Sequence, residues 1–77
     1  MKTLFDLKAG QKCLVEKIMV SGGMRRRFLD IGLTPNTVVE CVNVSPSGDP
    51  KAFLIRGAVI AIRKEECENI LIRDLIE

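Results

Sequence analysis

Arg25-Arg26-Arg27 is the densest charge in this 77-residue sequence, and guanidinium forks suit carboxylate or phosphate partners. The run lies in a segment with helical periodicity, where Met24, Phe28 and Ile31 recur at i, i+4 and i+7 with Leu29 beside them. Consecutive helical positions splay around the axis, so the three arginines cannot all meet one ligand. They read either as the wet face of an amphipathic helix or as a docking patch for an acidic surface. Gly22-Gly23 before the helix matches neither a P-loop nor a dinucleotide fingerprint.

Cys67 beside Glu65 and Glu66 is the one place where thiol and carboxylate chemistry cluster along the chain, and it marks a metal-ligand candidate. The simpler reading makes the cysteines small buried hydrophobes and the glutamates of this stretch a solvated face. Cys13, Cys41 and Cys67 are odd in number and include no C-x-x-C pair, so a disulfide framework is not expected. The sequence has no histidine, which excludes imidazole acid/base catalysis, the Ser-His and Cys-His nucleophile pairs and imidazole metal ligation. No enzyme is expected, and no obligatory cofactor. A net charge of +2 and the absence of Trp and Tyr argue against a nucleic-acid partner, which would need a concentrated basic face and stacking platforms. No run of eighteen apolar residues occurs, and Asp6 interrupts the segment where a signal peptide needs its apolar stretch, so a cytosolic protein with no membrane insertion is expected.

The elements that must position these residues are short. Lys12–Ile18 reads as a strand of ambiguous register, with Cys13 and Val15 on one face and Leu14 and Ile18 on the other. The helix follows and ends at Gly32, with Pro35 preventing continuation. Thr37–Val44 is rich in β-branched residues and alternates, and Pro46-Ser47-Gly48-Asp49-Pro50 forces a turn. Strands at 51–56 and 59–63 flank a tight hairpin placed at Gly57-Ala58; a helical turn at 64–68 precedes a last strand at 69–73. One mainly β domain over residues 1–77 is expected, a small, partly open barrel of about five strands with a short helix inserted after the first. Pattern alone does not separate the SH3-like order from the OB order, although a helical turn before the closing strand favours the first.

Met24-Arg25-Arg26-Arg27-Phe28-Leu29-Asp30-Ile31-Gly32-Leu33-Thr34-Pro35, then Pro46-Ser47-Gly48-Asp49-Pro50, then Ile55-Arg56-Gly57 and Ile62-Arg63-Lys64-Glu65-Glu66 together resemble the ferrous iron transport protein A (FeoA) family. The resemblance runs from the Leu4/Leu7-x-x-Gly10 opening to the last strand. Asn36 stands where the family often has glycine, and Ser47 where leucine is common, which removes an apolar tip from that turn. The resemblance implies an SH3-like β-barrel and a cytosolic adaptor role beside a FeoB-type ferrous iron transporter, whose cytosolic part includes a GTP-binding domain. It also implies an association with Fe(II) or another divalent transition metal. The expected partner surface is Arg25, Arg26 and Arg27 with Leu33, Thr34 and Asp49, framed by turns at Gly32, Pro35, Gly48, Pro50 and Gly57. Two alternatives stand beside it: a direct Fe(II)-binding carrier or sensor using Cys67, Glu65 and Glu66, and a nucleic-acid-binding small barrel.

Overall fold

The computed structural model describes residues 2–76. A 3-10 turn (Leu4–Asp6) leads into β1 (Lys12–Ile18), α1 (Gly22–Asp30), β2 (Val38–Val44), β3 (Lys51–Ile55), β4 (Ala58–Ile62), a four-residue helix α2 (Lys64–Cys67) and β5 (Ile70–Ile76). The strands form one antiparallel sheet in the order β4-β3-β2-β1-β5, so the sheet curls without closing and β4 and β5 are its two edges. Residues 2 and 3 partly cover the β5 edge, where Thr3 bridges Leu71 and the Ile72 N–H donates to the Lys2 carbonyl at 3.1 Å.

The core follows from alternation. Cys13, Val15, Val39, Cys41, Phe53, Ile55, Ile62, Ile70 and Ile72 project from the strands into one cluster, closed by Leu4, Leu7, Phe28, Leu33 and Cys67. The ambiguity in β1 has a physical resolution. Its pairing with β5 shifts between Val15 and Lys17, a bulge that adds a residue and turns Ile18 to the same inner side as Cys13 and Val15. In α1 Phe28 alone is fully buried; Ile31 packs partly against the core and Met24 is exposed, so the expected three-residue stripe is anchored mainly by one ring.

The β3–β4 hairpin is displaced by one residue from its expected place. Its two-residue turn is Arg56-Gly57, with φ of +48° and +85°, and the paired residues Ile55 and Ala58 close it. Two positive φ values are what a hairpin turn matched to the twist of the strands requires. Asn36 likewise holds φ +72°, in the left-handed region that asparagine tolerates.

Candidate functional site

The expected surface residues fall into two groups. The first lies at the end of the barrel below α1, where the Gly32–Pro35 loop meets the β3–β4 turn. Gly32 ends the helix with φ +96°, and the Leu33 N–H returns to the Phe28 carbonyl at 2.9 Å. Arg56 crosses this loop: Nε donates to the Gly32 carbonyl, and Nη2 donates to the hydroxyl oxygens of Thr34 and Thr37, each at 3.1 Å. The two hydroxyls are themselves 2.9 Å apart. The loop is thus fixed from within by an arginine whose three acceptors are all neutral. Leu33 does not front a partner here: it is fully buried, because the turn after Gly32 folds it beneath the helix as a plug for the core. Thr34 is half-buried and serves Arg56.

The second group surrounds a cleft of about 520 Å³ between α1, the Pro50 turn and the end of β4, lined by Met24, Arg27, Pro50, Ala61, Arg63, Glu65 and Glu66. Arg27 Nη1 pairs with Glu66 Oε2 across it, tying α1 to α2. Glu66 therefore departs from the solvated face expected of it. Its side chain is only 14% exposed, and its second oxygen accepts from the Arg63 N–H at 3.4 Å. Glu65 and Arg63 line the cleft, while Arg25 and Arg26 are exposed on α1. Asp49 turns inward along the surface: its Oδ1 accepts from the Lys64 N–H at 2.9 Å and caps α2. The turn around it is built by Gly48 at φ +88°, whose N–H donates to the Ser45 carbonyl, and by Ser47 Oγ, which donates to the Asp49 carbonyl at 3.0 Å. Asp49 and Arg27 thus hold the frame, while Arg25 and Arg26 present charge.

Cys67, Glu65 and Glu66 are not gathered into a donor set. The Cys67 thiol is fully buried and donates to the Ile62 carbonyl at 3.6 Å. Burial pushes it up to about 12, against which the attraction of Lys51 is the smaller influence. Cys13 is pushed up to about 11 by burial, and Cys41 is raised for the same reason. Among the described residues no group of three or more Cys, Asp or Glu side chains stands together to hold an ion. A protonated thiol facing the core and a carboxylate already held by arginine do not fit a divalent cation.

Sequence reasoning missed Lys51 and Arg56. Lys51 opens the strand expected at 51–56 and is buried, with Nζ donating to the carbonyls of Phe5 and Leu7 and lying 4.4 Å from the Phe5 ring centroid. The alternation of β3 carried the signal, since Lys51, Phe53 and Ile55 share a face.

A five-stranded curled antiparallel sheet with a helix after its first strand and a helical turn before its last defines an SH3-like domain. The sequence matches the FeoA domain family over residues 2–74, and the chain belongs to that family, which is linked to ferrous iron transport. The FeoA protein of Chlorobium tepidum is 30% identical with a TM-score of 0.85, over 92% of this chain and 68% of that one. Iron(II) transport protein A of Clostridium thermocellum is also 30% identical with a TM-score of 0.88, over 92% of this chain but only 44% of its own length. Stenotrophomonas maltophilia FeoA, determined as a zinc complex and described as an SH3 domain protein put forward as a ferrous iron transport activating factor, shares the fold at 21% identity and a TM-score of 0.85, over 95% of this chain and 91% of that one. No match was found among curated proteins. Among the described residues no helix is long and apolar enough to cross a membrane.

Proposed function

We propose that this domain is a cytosolic, non-enzymatic accessory to ferrous iron uptake that docks on the cytosolic part of a FeoB-type transporter and modulates it. The observation that carries the reading is the cleft at Arg27 and Pro50, an open concavity whose walls are braced by the Arg27–Glu66 pair and the Asp49 cap of α2. Beside it Arg25 and Arg26 are exposed and make no ion pair among the described residues. A rigid concave face with Arg63 in its lining and the unpaired Arg25 and Arg26 beside it recognises an acidic protein surface by charge complementarity. Membership of a family linked to iron transport supports the transporter as the owner of that surface.

The test is an amide NMR titration of the labelled domain with the cytosolic GTP-binding region of the transporter. Shifts should cluster on residues 24–27, 49–50 and 63–66, and Arg26→Glu should weaken binding about tenfold, the loss of one favourable charge contact. Unchanged affinity in both Arg25→Glu and Arg26→Glu would overturn the docking face. Anaerobic Fe(II) saturating at one equivalent around Cys67 would replace it with a metal-binding module.

A further inference from the structure

The two edges of the sheet are treated differently. Residues 2 and 3 pair along part of β5, but β4 hydrogen-bonds only to β3 and has no other backbone partner among the described residues. The register identifies the groups left open. Ile55 and Ala58 close a two-residue hairpin and exchange both ladder bonds, so the alternation places the β3 bonds of β4 at Ala58, Ile60 and Ile62. The N–H and C=O of Val59 and Ala61 therefore face outward.

This edge also lacks the usual protections. Ala58-Val59-Ile60-Ala61-Ile62 contains no charge, no proline and no bulge, and Val59 is 64% exposed. The charges immediately adjoining are cationic: Arg63 directly after β4, with Glu65 two residues further on in the same cleft, and Arg56 in the turn before it, whose guanidinium keeps its charge while donating to the neutral oxygens of Gly32, Thr34 and Thr37. Neither arginine makes an ion pair among the described residues, and Ala61 and Arg63 both line the cleft that holds the Arg27–Glu66 pair.

We propose that β4 is a strand-addition site for an extended segment of a partner protein, uncharged and β-branched at its centre and carrying carboxylates at its ends. Main-chain bonds to Val59 and Ala61 supply the attachment, and the terminal carboxylates answer the arginines at the two ends of the strand. The flanking charge decides against a second copy of this chain. An antiparallel copy centred on Ile60 would set Arg63 of each copy beside the Arg56-Gly57 turn of the other, cation near cation at both ends. The inference rests on the docking reading only in taking the transporter as the source of the segment.

The probe is an acetylated peptide of about seven residues, alternating valine and threonine and closed by aspartate at both ends, compared with the same peptide closed by lysine. The aspartate peptide should shift and protect the Val59 and Ala61 amides, and the lysine peptide should bind at least about tenfold more weakly. Ala61→Pro removes an outward N–H without touching the β3 ladder and should abolish binding; Val59→Glu, at an exposed position, sets a carboxylate against the carboxylates of the peptide and should weaken it. Equal binding of the two peptides, or full binding by a folded Ala61→Pro or Val59→Glu variant, overturns the proposal. So does concentration-dependent self-association that Ala61→Pro removes, because the occupant is then a second copy. Transporter-region binding that survives both variants overturns strand addition and leaves docking at the cleft intact. Peptide binding without transporter binding does the reverse.

Discussion

Arg56 occupies the space that a side chain at position 32 would need. A methyl group at position 32 would collide with Arg56 Cδ, and the same arginine donates from Nε to the Gly32 carbonyl at 3.1 Å. Helix end and hairpin turn, 24 residues apart, are thus one packed unit.

Gly32→Ala should destabilise the domain by about 1–3 kcal/mol, because φ +96° is strained for any residue with a Cβ and the arginine must also move. Chemical denaturation of Gly32→Ala in the native and Arg56→Ala backgrounds separates the two causes. In the second background the clash is gone and only the backbone cost remains, so the penalty should shrink. An equal penalty in both would show that Arg56 yields freely.

Replacing Lys51 by Met keeps most of the buried length but leaves the Phe5 and Leu7 carbonyls without their ammonium donor. A loss of about 1–3 kcal/mol is expected, together with faster hydrogen exchange in residues 4–7, which the ammonium pins to β3. Unaltered exchange there would mean that the apolar contacts of Leu4 and Leu7 suffice.

The buried thiols set a stability change at alkaline pH. An ordinary thiol titrates at 9.0, whereas Cys67 is pushed up to about 12 and Cys13 to about 11. Above pH 9 the unfolded chain releases these protons and the folded chain retains them, so the unfolded state binds fewer protons and stability falls as pH rises from 9 towards 12. Urea titrations at pH 8 and pH 10.5 should show this fall, and Cys67→Ala should make it shallower. Parallel curves for the two proteins would contradict the assignment.

Arg27 and Glu66 should couple by at most about 1 kcal/mol in a double-mutant cycle, since the arginine is 53% exposed, and the coupling should shrink in high salt. Coupling near zero at low salt would mean that α1 and α2 hold their places by packing alone.

The strands, the helix and most core positions were legible because alternation and helical spacing report burial directly: Cys13, Val15, Val39, Cys41 and Phe28 all lie where period and residue type place them. What escaped depends on contacts distant in sequence or on unusual backbone. Nothing local marks Lys51 as bonded to carbonyls 44 and 46 residues away, or Glu66 as the partner of Arg27, 39 residues earlier. The hairpin was misplaced by one residue because Arg56 takes a positive φ that residue type disfavours. Leu33 reads as a surface residue because it lies in the Gly32-Leu33-Thr34-Pro35 loop expected to frame the partner face, and only the helix-ending turn at Gly32 shows that the leucine points in.

Cys13, Cys41 and Cys67 sit in β1, β2 and α2, all sealed and all free of disulfides. The domain therefore carries three internal clocks for its own opening. A thiol reagent can reach them only when the chain breathes, so equal labelling rates at all three would mean that it opens as one body, whereas early labelling of Cys67 would time the release of α2, the element that forms one wall of the cleft.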